Sequence, residues 1–231
     1  MSHAYFLTGT DTEIGKTHIA CALLERARQE GLHATGLKPV AAGIEADGEN
    51  DDVRRIRQAS NVALPDRLRN PYCFTPPIAP HLAAAQAGIS IDFARIADTV
   101  QTARQAADFV VVEGAGGFCI PLGPDKTSAD LAVTLRLPLI LVVGLRLGCL
   151  NHALLTTEAI ARRGLRLAGW VGNHLEMPMA FAAENMAALR ASLAAPCLGE
   201  VRWQPQGNAR LSAAELRLPE DETLRSFPDR A

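Results

Sequence analysis

One stretch limits what this chain can fold into more than any other: Phe6-Leu7-Thr8-Gly9-Thr10-Asp11-Thr12-Glu13-Ile14-Gly15-Lys16-Thr17. A short apolar run, residues 4–7, leads into it, and a helix-like run, residues 18–25, leaves it. A strand, a tight loop ending Gly-Lys-Thr and then a helix is the context in which a phosphate-binding loop makes physical sense. The loop's backbone N–H groups and the helix N-terminus offer unpaired donors and a positive dipole end to an anion. Lys16 adds a point charge for the outer phosphates, and the Thr17 hydroxyl suits a phosphate-bridging Mg²⁺. The strict pattern wants Gly where Thr10 stands, and the nearest one, Gly9, lies one residue further back, so the loop is a variant.

The rest of the chain fits one α/β enzyme domain built round that loop. Its 231 residues suffice to bury roughly three quarters of the unfolded surface in one core. No composition shift or low-complexity linker divides them. Residues 1–231 are therefore expected to form a single nucleotide-binding domain, with a poorly patterned tail over residues 204–231. Hydrophobic residues at 48% and charged residues at 21% argue against disorder, and a net charge of −2 gives no basic field for nucleic acid. Cys21, Cys73, Cys119, Cys149 and Cys197 are odd in number, widely spaced and free of any C-x-x-C pair. That speaks against a disulfide framework or a zinc site and fits a reducing compartment. No basic-then-apolar leader precedes the first strand, and no apolar run approaches the ~20 residues that span a bilayer. A cytoplasmic protein with neither membrane nor nucleic-acid partner is expected.

Periodicity gives the order of elements. The first helix should end near Gly31, and residues 34–40 read as a second strand closed by Lys38. Asn50, Asp51 and Asp52 form a good start for a helix over residues 53–57. Residues 65–80 carry five prolines and read as mostly loop. Ser90 looks like the cap of a helix over residues 91–107. Residues 109–112 and 137–144 are continuous apolar runs, as expected of strands buried on both faces of a parallel sheet. A helix over residues 152–163, a strand over 167–173, a helix over 179–193 and a strand over 196–201 follow. Strands alternating with helices predict a doubly wound, mostly parallel sheet with helices on both faces, a P-loop NTPase type of fold. Ligands then bind at the carboxyl ends of the strands. The stretch after Trp203 has no pattern and is given no structure.

The polar exceptions lie at those carboxyl ends. Lys38 can neutralise a phosphate or carboxylate, or simply be a solvated strand end. Glu113, followed by Gly114-Ala115-Gly116-Gly117, is placed to hold Mg²⁺, and the glycines let backbone approach phosphates closely. The alternative is a turn with an incidental Glu. Asp51 and Asp52 fit either the metal or the dipole of the helix that they start. Asp52 and Glu113 are both expected at the ligand edge, outside the core. Gly148, Cys149, Leu150 and Asn151 make a small-residue turn opening a helix, either a second anion site or an ordinary helix start. Asn173 can read a base edge or cap a turn. Cys119 and Cys149 have no neighbouring base and read as small apolar fillers.

Together the segments TGTDTEIGKT, GLKPVAAG, VVVEGAGG, LILVVGLRLGCLNHALLT and LAGWVGN resemble the dethiobiotin synthetase family, in order over most of the chain to about residue 201. The resemblance implies an ATP- and Mg²⁺-dependent enzyme of biotin synthesis. Its substrate, 7,8-diaminononanoate, takes up CO₂ as a carbamate, which attacks the γ-phosphate of ATP. The second amine then closes a cyclic urea and expels phosphate. By matching positions, Thr12, Lys16 and Lys38 would surround the carbamate and γ-phosphate. Thr17, Asp52 and Glu113 would hold Mg²⁺. Glu13, Ile14, Gly15, Lys16, Thr17 and His18 would wrap the phosphates, with Gly114, Ala115 and Gly116 alongside. Asn173 would read the adenine, and Arg202, Trp203 and Gln204 would touch the nucleotide. The family is a homodimer, so Gly148, Cys149, Leu150 and Asn151 of one subunit would receive the substrate carboxylate bound to the other.

Two positions depart from the family pattern. Ala42 stands where a substrate-contacting Ser is common, which leaves backbone N–H groups for that contact. Arg202 stands where Pro is usual, next to the nucleotide. Two rival readings have their own signatures. A ParA/MinD-like switch ATPase carries a second lysine inside the loop, where this chain has Thr10, Asp11, Thr12 and Glu13. Membrane-binding members add a basic amphipathic C-terminal helix, which residues 218–231 do not resemble. A cobyrinic-acid amide synthase needs a glutaminase domain, for which this chain is expected to be too short.

Overall fold

The computed structural model of the chain describes residues 2–205 and 207–220. Strand β1 (His3–Gly9) runs through the middle of a six-stranded sheet whose pairings are all parallel. The order is β2 (Ala34–Leu37), β5 (Phe109–Glu113), β1, β6 (Leu139–Leu145), β7 (Leu167–His174) and β8 (Cys197–Val201). The chain first moves to one side of β1 and later to the other. The loop after β1 therefore sits at the switch point, where the carboxyl ends of β5 and β6 flank a crevice.

The continuous apolar strands are buried on both faces, and their period of two sends alternate residues to two cores. Tyr5, Leu7, Phe109 and Val111 pack with Ile19, Leu23 and Leu24 of α1 (Lys16–Gln29) and Ile56 of α2 (Asp51–Ala59). Ala4, Phe6, Val110 and Val112 point the other way. They meet Ile96 and Val100 of α5 (Phe93–Ala106), Leu131 of α6 (Ser128–Leu135) and Ile160 of α7 (Cys149–Arg162). Helix α8 (Ala182–Ser192) closes the far strands with Met186 and Leu189 against Trp170. Among the described residues no helix is long and apolar enough to cross a membrane.

Several local expectations need correction. Strand β2 stops at Leu37, before Lys38. Pro39 follows, and the Lys38 carbonyl accepts from Asn70 Nδ2 at 2.5 Å instead of continuing a ladder. The chain then enters β3 (Val40–Ala42), which pairs in parallel with β4 (Tyr72–Phe74) as a separate two-stranded sheet. The proline-rich stretch is thus more structured than its composition suggests. It holds α3 (Asp66–Arg69), β4 and the first residue of α4 (Pro80–Gln86), because its prolines border these elements instead of interrupting them. Asp92, not Ser90, caps α5: its Oδ1 accepts from Ala94 N at 2.9 Å, while Ile91 is buried ahead of the helix. Helix α6, opened by a Thr127–Asp130 capping box, fills a stretch with no sequence expectation. Cys149 is buried as a filler should be, but Cys119 is exposed.

The patternless tail is also partly built. Helix α9 (Ala209–Ala213) packs on α1, with Arg210 Nε donating to Glu25 Oε1 at 3.1 Å and a 2.8 Å contact between His18 Nε2 and Ser212 Oγ. Five residues are too few to show a 3.6-residue period. The tail beyond residue 220 lies outside the described residues.

Candidate active site

The loop is a variant in sequence because its anchor differs. Ile14 is 1% exposed, its side chain turned inward against β1 and β6. A Cβ at Gly9 would stand 2.6 Å from Ile14 Cδ1, and one at Gly144 2.6 Å from Ile14 Cγ2. The two glycines leave the space that this side chain fills, so an apolar plug pins the loop from beneath. Gly15 then turns left-handed at φ 84° and α1 begins with no side-chain cap, leaving its first N–H groups free for a ligand. Gly144→Ala should cost roughly 1–3 kcal/mol by overpacking against Ile14. It should also weaken ADP binding about tenfold, since 1.4 kcal/mol is a factor of ten. Thermal melting and an ADP titration check it; unchanged ADP affinity would mean that Ile14 does not position the loop.

At the mouth of the loop four charges meet. Lys38 Nζ lies 2.5 Å from Glu113 Oε1 and 2.9 Å from Asp52 Oδ2. Thr17 Oγ1 stands 2.7 Å from Asp52 Oδ1 and 2.8 Å from Glu113 Oε1, so one hydroxyl proton serves two carboxylates. Lys16 Nζ turns back to donate to the Asp11 carbonyl at 2.7 Å. Glu113 is 0% exposed. It belongs to the core, contrary to the expectation that it stands outside, because β5 ends beneath α1 and the strap carrying Lys38. Its Oε2 is buried with no partner, a vacant acceptor in an otherwise paired cluster.

Burial sets the electrostatics. It draws Lys16 down to about 8, helped by the nearby charge of Lys38. Burial alone would lower Lys38 too, but Glu113 and Asp52 beside it outweigh that and hold its pKa above the usual lysine value. Lys38 therefore stays an ammonium, sealed between two carboxylates.

Three hard oxygens (Thr17 Oγ1, Asp52 Oδ1 and Glu113 Oε1) converge within hydrogen-bond distance, and one orphaned carboxylate oxygen lies beside them. This donor set fits Mg²⁺ shared with phosphates and water. Among the described residues no group of three or more His, Cys, Asp or Glu side chains could hold a metal by itself.

A cavity of about 560 Å³ opens beside the loop, lined by Glu13, Gly15, His18 and Asn173 and by Arg202, Trp203 and Gln204. Asn173 Nδ2 donates to the Ile14 carbonyl at 2.8 Å, which leaves its Oδ1 to accept from a ligand. Arg202 Nε pairs with Glu215 Oε1 at 2.9 Å. Arg55, His174 and Gly207 line the cavity too. None stands out in the sequence, although Arg55 follows Asp52 by three residues and so shares its side of α2.

The remaining candidates are placed as follows. Thr12 is exposed on the loop, where a Cβ at Gly116 would come 3.4 Å from its Oγ1. Gly114 N donates to the Leu7 carbonyl at 2.9 Å, which carries Ala115 and Gly116 past the loop. Ala42 ends β3, and the Gly43 carbonyl beside it accepts from Asn50 Nδ2 at 2.7 Å. The turn of Gly148, Cys149, Leu150 and Asn151 follows β6, with Gly148 at φ 95° and Leu147 94% exposed. Among the described residues no hydrogen bond or ion pair joins this turn to the Lys38 cluster. The link on that side is an ion pair between Arg146 and Asp11, which the sequence did not point to.

A family model described as an AAA domain matches residues 3–210. The ATP-dependent dethiobiotin synthetase BioD of Aromatoleum aromaticum is 54% identical over 220 residues, covering 94% of this chain and 97% of that protein. The protein of the same name from Ralstonia nicotianae is 50% identical over 214 residues, covering 91% and 93%. Among solved structures, the MinC:MinD cell division protein complex of Aquifex aeolicus aligns over 93% of both chains with a TM-score of 0.57 at 13% identity. That last likeness is one of fold alone, whereas identities of 50% and 54% over nearly full lengths are likenesses of family. The chain belongs to the ATP-dependent dethiobiotin synthetase family.

Proposed function

We propose that this protein converts 7,8-diaminononanoate, CO₂ and ATP to dethiobiotin, ADP and phosphate, in the cytoplasm, as a homodimer. The observation that carries this reading is the second buried cation, Lys38, beside the loop lysine. A carbamate and a γ-phosphate are both anions, and two unit charges ~4 Å apart repel by about 4 kcal/mol at an effective dielectric near 20. Lys16 serves the phosphates, and Lys38 answers for the acceptor. Thr12, exposed on the loop, orients the same groups. Mg²⁺, when bound, neutralises charge on the β- and γ-phosphates.

Around it, Thr17, Asp52 and Glu113 offer their oxygens as ligands. The free N–H groups at the start of α1 hold the phosphates, with the glycines after β5 alongside. The Asn173 amide, already fixed by Ile14, presents an acceptor to the adenine amino group. The carbamate oxygen attacks the γ-phosphorus and ADP leaves; the second amine then attacks the carbonyl carbon and phosphate departs. The protein's part is positioning and electrostatic stabilisation. The substrate carboxylate is received by the uncapped start of α7 from a partner subunit, through Gly148, Cys149, Leu150 and Asn151. Backbone near Ala42 and Gly43 supports the chain of the diamine.

ADP release measured with each substrate omitted in turn tests the reading. It is expected to require the diamine and bicarbonate together, because the acceptor forms only from both. Equal ATPase activity without the diamine would favour a switch ATPase.

A further inference from the structure

From the geometry we infer that Arg55 is a nucleotide-binding residue and contacts the α-phosphate. The proposal rests only on the nucleotide half of the function proposed above. The start of α1 fixes the outer phosphates beside Gly15, Lys16 and Thr17, and the cavity beyond runs to Asn173 and Trp203. The α-phosphate joins these halves, and His18, next to Thr17 in the chain, lines the same cavity as Arg55. Gly207 closes the same wall: a Cβ there would come 3.5 Å from Arg55 Nη2 and 3.9 Å from His18 Nδ1.

The other cations nearby are engaged. Lys16 is held by the Asp11 carbonyl, Lys38 by Glu113 and Asp52, Arg146 by Asp11, and Arg202 by Glu215. Among the described residues the ion pair of Arg55 is a long one, 4.0 Å to Asp51 Oδ2. Asp51 is itself claimed by Arg54 Nη2 at 2.7 Å. Arg55 is 35% exposed in its side chain, open to the cavity yet held on a helix. The three-residue spacing puts Asp52 and Arg55 on one face of α2, so one helix turn would serve both the metal and the α-phosphate. A guanidinium whose N–H groups make no hydrogen bond among the described residues is suited to such a phosphate.

Calorimetric titration of ADP and of adenosine, each with magnesium chloride and without the diamine, tests this on the wild type, Arg55→Met and Arg55→Lys. Arg55→Met should weaken ADP about tenfold and leave adenosine unchanged, and Arg55→Lys should recover most of the loss. ADP affinity unchanged in Arg55→Met overturns the assignment. Equal weakening of adenosine overturns it as well, by making Arg55 a nucleoside contact. A wild type that bound no ADP at all would instead count against the proposed function.

Discussion

Replacing Lys38 with Gln is expected to lower turnover ~10²-fold or more, from losing roughly 3 kcal/mol of electrostatic stabilisation. Gln keeps much of the length and polarity but removes the charge opposite the acceptor. Binding of ATP alone should change little, because the proposed function assigns the phosphates to Lys16 and the start of α1. The burial of Lys38 adds a second expected result. Lys38 is 5% exposed and its ammonium balances Glu113 and Asp52, so the variant leaves two carboxylates facing each other without a cation. Breaking a buried pair costs about 3–5 kcal/mol. Asp52 is 38% exposed in its side chain, so water relieves part of this and the lower end applies. The measurement is steady-state turnover beside ATP titration and thermal melting, with and without Mg²⁺. Near-normal turnover would remove Lys38 from the mechanism. Lost ATP affinity with intact turnover at saturation would make it a nucleotide ligand.

Glu113→Gln should do at least as much damage, and to stability first. Glu113 is sealed at the end of β5 under α1, and the variant leaves Lys38 with Asp52 alone. A loss of about 3–5 kcal/mol is expected, or roughly 6–20 °C in melting temperature for a chain of this size. Turnover should fall ~10²-fold or more, since a phosphate-bridging cation would lose a ligand. Asp52→Asn is the control: it touches the same Thr17 hydroxyl but is partly exposed at the first turn of α2. It should blunt the Mg²⁺ response with a much smaller change in melting. If it shifts melting and leaves the Mg²⁺ response intact, Asp52 is a helix-start charge and no metal ligand.

The sheet was legible because its strands are apolar runs bounded by turn residues, and a buried parallel strand needs no alternation to be recognised. The glycine-lysine-threonine loop marked the turn from the first strand into the first helix, and the polar residues that end strands marked the carboxyl edge of the sheet as the candidate site. Other features depended on partners far away in the chain. The two-stranded β3–β4 sheet arises because Pro39 ends one ladder and Tyr72 offers another, a pairing no local window contains. Helix α9 owes its place to Ser212 and Arg210 meeting α1, not to its own period. Glu113 looked like an edge residue because it ends its strand; only the tertiary packing of α1 and the Lys38 strap buries it. Arg55 was silent for the same reason, since a surface arginine on a helix has no local mark of a ligand.

The Ile14 plug bears on how nucleotide comes and goes. A flexible phosphate loop must be ordered by its ligand, at about 1–2 kcal/mol of conformational entropy per residue fixed. Here the side chain of Ile14, seated between Gly9 and Gly144, settles that cost when the chain folds. Part of the cradle's order is thus in place before ATP binds, so more of the nucleotide's contact energy appears as affinity. On the opposite wall of the cavity, Arg202 and Trp203 stand exposed.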